Sequence, residues 1–238
     1  DNTVAIAKRE GAQVIETREG KFKDWRNAGL TAAHGDWVLY VDADERVTPK
    51  LAKEIEDTIE RTSYSAFALS RHNIQFGKWF QHGGWEKDVV VRLFKRSQLR
   101  EWQGDVHESA KVEGNQGLLT ESLVHFTHRD LLSGLVKSAM WTDTEARLLY
   151  EAGVKPVGVV TLIRKPFMEF FRRLILKKGY KDGIEGWIES IQQAMNRFFV
   201  YERLWELQSK PTLSEKYQRF ESEIQKMWEA SSSTRGRV

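Results

Sequence analysis

A short apolar strand that ends in three carboxylates constrains this chain more than any other stretch of its sequence. The strand pattern covers 37–42, and the acidic residues at its end are Asp42, Asp44 and Glu45. Carboxylates this close repel one another unless a positive group lies between them, and such oxygen ligands favour Mg²⁺ or Mn²⁺. The order Asp-Ala-Asp after a strand also occurs in phosphatases, but that class has Thr or Val two residues after the second Asp, where this chain has Arg46. The sequence therefore predicts a divalent-cation site, with a solvated strand end as the alternative.

Residues 1–71 alternate between helix and strand patterns, which is typical of an α/β sheet. The patterns predict helices and strands in this order: helix 3–10, strand 13–16, helix 22–34, strand 37–42, helix 49–61 and strand 65–70. Pro49 suits the first turn of its helix. Because ligands of an open α/β sheet bind beyond the carboxyl ends of its strands, the position of the carboxylates agrees with a binding site.

The remainder of the chain changes character twice. Residues 73–126 are strand-like, irregular and rich in tryptophan and glycine, and the pattern after residue 131 is helical. The predicted helices there cover 131–152, 166–178, 184–208 and 213–230. We therefore expect an α/β domain over 1–130, a helical and basic region over 131–230, and a polar, disordered tail over 231–238.

The composition excludes several classes of function. The 238 residues include no cysteine, which rules out a disulfide framework, a thiolate metal site and a cysteine nucleophile. There are 37 basic and 34 acidic residues, so the chain as a whole is not a polycation that coats nucleic acid. It also lacks the paired aromatic motifs of RNA-binding strands, and we expect no nucleic acid partner. No apolar stretch approaches the roughly 20 residues of a membrane-spanning helix.

Several segments resemble family 2 glycosyltransferases with the GT-A fold. They have the order and spacing of that family and read Asp1-Asn2-Thr3, Arg26-Asn27-Ala28-Gly29-Leu30 and Ala33-His34-Gly35-Asp36-Trp37-Val38-Leu39-Tyr40-Val41-Asp42-Ala43-Asp44-Glu45. Three more resemble the bacterial lipopolysaccharide core glucosyltransferases: Val91-Arg92-Leu93-Phe94, Gly104-Asp105-Val106-His107-Glu108 and Gly179-Tyr180-Lys181-Asp182-Gly183. The resemblance implies a GT-A-like (Rossmann-like) α/β fold, a mixed sheet with helices on both faces, and a catalytic role for 1–130.

The resemblance also implies which residues meet the nucleotide sugar and a Mg²⁺ or Mn²⁺ ion. An Arg-Asn pair borders the nucleotide pocket in the family, which corresponds to Arg26 and Asn27. Asp44 would contact the metal directly, and Asp42 would contact the ribose or a metal-bound water. His125 would add an imidazole to the metal, as in some GT-A enzymes, and local hydrogen bonding is the alternative. Residue type alone also allows Arg26 and Asn27 to form a solvated helix face.

Transfer of a sugar with inversion requires a carboxylate that accepts a proton from the acceptor hydroxyl. The resemblance nominates Glu108 as this base, with Asp105 in reserve, whereas the loop sequence alone would equally suit a structural histidine beside an exposed glutamate. Arg92 follows an apolar run, where it could contact phosphate or orient the acceptor, or form a salt bridge at a strand end. The expected acceptor is a lipopolysaccharide core or another lipid-linked or envelope glycan.

Family members begin with an apolar strand, a helix and a second strand before the segment that matches 1–3. We therefore expect this chain to be truncated at its N-terminus, with a nucleotide pocket that lacks a wall. The main functional expectation is a metal-dependent, inverting hexosyltransferase. The alternative is an inactive fragment that docks to a membrane or to partner enzymes.

The segment 155–181 concentrates positive charge. It holds eight basic residues and one acidic residue, Glu169, which leaves a local charge of +7. Apolar side chains recur within it at helical spacing, at Phe167, Phe170, Phe171 and Leu174. This pattern predicts a helix on an anionic membrane surface, and the alternative is a helix that packs this stripe onto the catalytic domain. The expected location is cytoplasmic, peripheral on the inner face of the bacterial inner membrane.

Overall fold

A six-stranded mixed sheet lies at the centre of the first of two structural units in the computed structural model. The structure describes residues 2–17, 19–86, 88–104, 108–127 and 130–235, with side chains described as far as residue 229. The first unit comprises 1–79 and 85–127, and the second comprises 80–84 and 128–238. The boundary at 127/128 lies close to the predicted one at 130, but 80–84 belongs to the helical unit.

The strands of the first unit form the sheet and a separate two-stranded ribbon. They are β1 Trp37–Leu39, β2 Glu45–Arg46, β3 Ala66–Gln75, β4 Lys78–Trp79, β5 Val89–Lys95, β6 Leu99–Gln103, β7 Ser109–Val112 and β8 Gln116–Phe126. The sheet order is β1-β5-β3-β8-β2, with β4 paired to β3, and β6 pairs with β7 in the ribbon. Strands β3 and β8 are parallel and the other pairs are antiparallel, so the sheet is mixed, as predicted.

Helices cover both faces of this sheet. The first unit contains α1 Thr3–Arg9, α2 Phe22–Ala32 and α3 Pro49–Ile59. Helix α3 begins as predicted, because Thr48 accepts a hydrogen bond from the Leu51 amide and Pro49 occupies the first turn. Its apolar side packs with Leu93 of β5 on one face of the sheet. On the other face Phe94, the next residue of β5, packs with the ribbon and α2. The predicted α/β architecture is confirmed.

The second unit is helical. Its elements are α4 Leu131–Glu151, α5 Val159–Phe171, a π-helical turn Arg172–Leu176, a 3₁₀ turn Gly179–Asp182, α6 Gly183–Gln208 and α7 Leu213–Arg235. Helices α4 and α5 both pack on α6, around a core that includes Ala146, Val200 and Leu204. No helix in the described part of the chain is both long enough and apolar enough to cross a membrane.

The observed elements differ from the predicted ones at several places. Residues 13–16 form no strand, since they pair with none of the described strands. Strand β1 ends at Leu39, so Asp42 lies in the following turn. Helix α5 begins at Val159, seven residues before the predicted start at Pro166, and Pro166 lies inside the helix. Helix α7 continues to 235, into the range predicted to be disordered, and 236–238 lie outside the described residues.

Candidate functional site

Of the three predicted carboxylates, Asp42 and Asp44 lie in the turn that joins β1 to β2, and Glu45 is the first residue of β2. The Asp42 amide donates to Glu45 Oε2 at 2.9 Å, and the Asp42 carbonyl accepts from the Glu45 amide at 2.9 Å. Glu45 is 1% exposed, whereas Asp42 and Asp44 each keep 38% of the side chain exposed. Glu45 is therefore buried where it closes the turn by hydrogen bonds, and Asp42 and Asp44 are presented at the surface.

Arginines supply the positive charge that the crowded carboxylates require. Arg92, which is 6% exposed, donates to Glu45 Oε1 at 2.8 Å and forms a second ion pair with Asp42. Arg26 of α2 lies 3.0 Å from Asp42 Oδ1, and Arg71 of β3 lies 3.3 Å from Glu45 Oε1. The strand-end salt bridge that the sequence left open for Arg92 is therefore present. Guanidinium groups relieve the repulsion between Asp42 and Glu45.

A second set of polar contacts connects the site to the neighbouring strands. Asp88 accepts hydrogen bonds from Arg71 Nε at 3.0 Å and from Arg71 Nη2 at 2.8 Å. It also accepts from Asn73 Nδ2 at 2.8 Å, and Asn73 Oδ1 lies 2.6 Å from His125 Nδ1. His125 is the register partner of Asn73 on β3 and of Glu45 on β2. The sheet itself therefore fixes this row of side chains.

These contacts determine which nitrogen of His125 carries the proton. Because Asn73 donates through its amide nitrogen to Asp88, its oxygen accepts the hydrogen of His125 Nδ1. Burial lowers the pKa of His125, and the Arg71 charge acts in the same direction against the acidic neighbours, so the imidazole is neutral near pH 7. His125 Nε2 then carries a lone pair, 3.5 Å from Asp44 Oδ2. The imidazole nitrogen of His125 and the carboxylate oxygen of Asp44 therefore lie close together, and each presents a lone pair that could bind a cation.

This donor pair fits a divalent cation that also binds a substrate. No group of three or more His, Cys, Asp or Glu side chains in the described ranges is arranged to hold a metal. Mg²⁺ commonly takes only one or two protein ligands and completes its shell with phosphates and water, and imidazole with carboxylate suits Mn²⁺ as well. Histidines that bind metals usually form a hydrogen bond through their other ring nitrogen, which fixes the orientation of the ring. Asn73 forms this hydrogen bond with His125. Asp44 and His125 are therefore the residues that would hold the ion.

The predicted nucleotide-binding pair, Arg26 and Asn27, makes contacts within the protein. Asn27 Nδ2 donates to the Trp102 carbonyl at 3.1 Å, and Asn27 Oδ1 accepts from the Trp102 amide at 2.8 Å. The Arg26 guanidinium lies over the Trp102 ring, 4.7 Å from its centroid, and the Tyr40 hydroxyl donates to the Arg26 carbonyl at 3.1 Å. Burial raises the pKa of Tyr40, which keeps its hydroxyl protonated. Both predicted residues thus hold α2 against the ribbon.

Three buried N–H groups at this site have no hydrogen-bond acceptor among the described residues: Arg26 Nε, Arg92 Nε and Trp102 Nε1. A buried donor without a partner costs about 1–3 kcal/mol and is rare in folded proteins. An oxygen atom of a ligand or a water that reached any of them would be bound favourably. The site therefore retains hydrogen-bonding capacity that the protein does not use.

The predicted base, Glu108, is partly buried and directly precedes β7 in the ribbon. Gly104 ends the preceding segment after β6 with φ of 91°, a conformation that glycine adopts without strain. The reserve base, Asp105, lies outside the described residues. Glu108 therefore lies just before one strand of the ribbon, and Trp102 lies in the other. The hydrogen bonds of Asn27 to Trp102 hold this ribbon against α2.

Sequence reasoning missed Arg71, Asn73 and Asp88. A signal for the first two was present, because polar residues at 71, 73 and 75 alternate with other side chains along β3. Asn73 and Gln75 are fully buried, which is unusual for amides and indicates a hydrogen-bonded network. Asp88 directly precedes β5, and no pattern in the sequence distinguishes it from an exposed loop aspartate.

Comparison with known proteins shows what the residues of this site are similar to. Residues 1–115 match the family model described as Glycosyl transferase family 2. An uncharacterized glycosyltransferase of Rickettsia conorii is 24% identical over 91% of this chain and 82% of its own length. Another, of Rickettsia felis, is 24% identical over 87% of this chain and 77% of its own length. A TPR repeat-containing protein of Synechococcus elongatus is 34% identical over 33% of this chain and 20% of its own length.

The family match covers the strand, the acidic turn and the arginines that surround it, and the Rickettsia relatives extend the similarity through the helical unit. Residues 1–115 are similar to family 2 glycosyltransferases, and this match together with the relatives named as glycosyltransferases supports glycosyltransferase activity.

Proposed function

We propose that the protein transfers a hexose from a nucleotide sugar to a lipopolysaccharide core or another envelope glycan, with inversion at the anomeric carbon and with Mg²⁺ or Mn²⁺ as cofactor. The observation that carries the proposal is the Asp44–His125 pair. A carboxylate oxygen and an unprotonated imidazole nitrogen lie 3.5 Å apart, and Asn73 fixes the imidazole. A structural ion pair would require a protonated histidine, which burial disfavours here.

The donor would bind through its diphosphate at this pair. The cation supplies charge neutralisation on the departing nucleoside diphosphate. Asp42 is held by Arg26 and Arg92 and is partly exposed, and its remaining lone pairs would accept hydrogen bonds from the ribose or from metal-bound water. Arg92 thus acts on the donor through Asp42, and Arg26 also supports the aromatic ring of Trp102.

Glu108 would act as the base. As the acceptor oxygen bonds to the anomeric carbon, the bond from that carbon to the diphosphate oxygen breaks and the hydroxyl proton passes to the Glu108 carboxylate. One displacement inverts the configuration. Asp105 is the alternative acceptor of the proton.

The envelope acceptor is proposed on sequence resemblance. Segments 91–94, 104–108 and 179–183 resemble lipopolysaccharide core glucosyltransferases. Such an acceptor is built on a lipid, which supports a location at the cytoplasmic face of the bacterial inner membrane.

A metal-binding and transfer assay tests the proposal. Mn²⁺ binding would be followed by the electron paramagnetic resonance signal of free Mn²⁺, and transfer would be assayed with a panel of sugar nucleotides. We expect Asp44→Asn and His125→Gln to weaken Mn²⁺ binding at least tenfold and to abolish transfer. Asp57→Asn is the matched control, because Asp57 is an exposed carboxylate in the same unit and pairs only with Lys53 in the described contacts. It should behave as wild type.

Glu108→Gln separates the two parts of the proposal. This variant should bind Mn²⁺ as wild type does and lose transfer, because it removes the proton acceptor alone. Wild-type Mn²⁺ affinity in Asp44→Asn would refute the metal assignment. Full transfer by Glu108→Gln would refute the base assignment and leave the metal assignment intact.

A further inference from the structure

Helix α5 of the second unit turns its apolar side outward. Val159, Val160, Ile163 and Phe167 are between 66% and 74% exposed. At 100° per residue these four side chains fall within an arc of about 100° on one side of the helix. The opposite side carries Glu169, which is only 8% exposed. This arrangement is the reverse of an ordinary amphipathic helix, which buries its apolar side.

The polar side of α5 is fixed inside the unit by specific contacts. Glu169 accepts from Arg172 Nε at 3.0 Å and from Arg173 Nε at 2.7 Å, and Arg173 Nη1 also donates to the Gly83 carbonyl at 3.0 Å. Lys165 lies over the Tyr201 ring of α6, 5.4 Å from its centroid. Rotation of α5 to bury its apolar side would break all of these contacts. The outward orientation is therefore a property of the fold.

The apolar surface continues onto α6. The Phe170 ring of α5 lies 6.3 Å from the Trp187 ring of α6, measured between centroids. Trp187 shares one side of α6 with three exposed isoleucines, Ile184, Ile188 and Ile191. We call this two-helix surface the apolar face. Contiguous exposed apolar surfaces of this extent on soluble domains mark interaction sites.

Unpaired cations accompany the apolar face. In the described part of the chain, six of the eight basic residues of 155–181 lie within 4.0 Å of no carboxylate: Lys155, Arg164, Lys165, Lys177, Lys178 and Lys181. Glu169, the acidic residue of the segment, is already held by Arg172 and Arg173. Because Lys165 lies over the Tyr201 ring on the other side of α5, the charge of the remaining five is available to an external anion.

We propose that the apolar face docks the protein onto the surface of an anionic phospholipid bilayer, with α5 in the plane of the interface. Phe167 and its apolar neighbours would enter the boundary between headgroups and acyl chains, and the cations would contact lipid phosphates. A second copy of the chain is a poor occupant, because a symmetric contact would bring two segments of charge +7 together. The docking does not depend on sugar transfer, although it would bring the proposed active site to lipid-linked acceptors.

Vesicle co-sedimentation tests the proposal directly. The protein should bind vesicles of phosphatidylcholine with about one-third phosphatidylglycerol, should bind phosphatidylcholine vesicles at least tenfold more weakly, and should be released by salt. The double variant Ile163→Ser/Phe167→Ser should lose at least tenfold in affinity for the anionic vesicles. Both side chains are exposed, so the fold should tolerate the change.

The chain offers a matched control. Phe220 and Ile224 of α7 have the same residue types and the same spacing of four, are 64% and 55% exposed, and lie outside the basic segment. Phe220→Ser/Ile224→Ser should bind vesicles as wild type does. Equal binding by the two double variants would overturn the proposal. So would a dimer in light scattering that Ile163→Ser/Phe167→Ser converts to a monomer, which would assign the face to a second copy.

A third variant keeps this proposal separate from the proposed function. Asp44→Asn should retain vesicle binding while it loses transfer. Transfer to a water-soluble acceptor by a wild-type protein that binds no vesicles would overturn the docking proposal alone. Vesicle binding without transfer to any acceptor would count against the proposed function alone.

Discussion

Replacement of Arg92 by methionine tests whether the buried arginine holds the acidic turn together. Met keeps most of the aliphatic volume and removes the guanidinium. Removal of one partner from a buried ion pair costs about 3–5 kcal/mol, because the other charge stays buried without compensation. In this site Glu45 would keep Arg71 at 3.3 Å and Asp42 would keep Arg26 at 3.0 Å. We therefore expect a loss at the lower end of the range, about 3 kcal/mol of unfolding free energy.

The protein contains a matched exposed pair. Arg100 and Glu113 lie 2.7 Å apart, close to the 2.8 Å of Arg92 and Glu45, but their side chains are 54% and 56% exposed, against 7% and 0%. Exposed pairs contribute about 0.2–1 kcal/mol. Arg100→Met should therefore cost far less stability than Arg92→Met. The two variants have the same chemistry and the same pair distance and differ in burial.

Hydrogen exchange by mass spectrometry on peptides that cover 89–103 measures the effect within the first unit. A loss of 3 kcal/mol corresponds to roughly 100-fold faster exchange, because about 1.4 kcal/mol is a factor of ten. Arg100→Met should accelerate exchange less than tenfold. If the two variants lost equal protection, the buried pair would contribute no more than a surface pair and the argument from burial would fail.

Two further predictions concern residues within helices. Gly186→Ala places a Cβ 1.9 Å from a backbone carbonyl oxygen and should destabilise the protein by about 2 kcal/mol or more in urea unfolding, whereas Gly29→Ala, with no atom within 4 Å, should stabilise it by up to about 1 kcal/mol. Burial raises the pKa of Glu169, but Arg172 and Arg173 outweigh burial and lower the pKa from 4.5. Because the pKa is depressed in the folded state, this carboxylate stabilises the protein fully above pH 4.5, and its contribution falls as the pH drops below that value. The stability difference between wild type and Glu169→Gln should therefore shrink in urea titrations below pH 4.5, and a constant difference would contradict the pairing.

Local features of the fold were predictable where neighbours in sequence determine them. Pro49 marks the start of α3 in the sequence, and the side chain of Thr48 caps the helix there. The acidic turn was also identified, because three carboxylates in four residues are visible without any knowledge of the fold. These predictions rest on capping and periodicity, which operate over a few residues.

The partners of the site residues could not be predicted, because they come from distant parts of the chain. Glu45 and Arg92 are 47 residues apart in sequence, and nothing in either segment points to the other. For this reason all three carboxylates were assigned from the sequence to a cation site, although arginines balance the charge of Asp42 and Glu45. The orientation of α5 was equally hidden, since helical periodicity tells which residues share a side but not whether that side faces the core.

The segment 80–84 has a consequence for the synthesis of this protein. The His82 amide donates to Asp182 Oδ2 at 2.8 Å, and these residues are 100 positions apart. At about 5–20 residues per second, the ribosome releases this segment roughly 5–20 s before its partner emerges. During that interval His82 lacks its native contact with Asp182. The helical unit therefore cannot complete its folding until synthesis has passed Asp182.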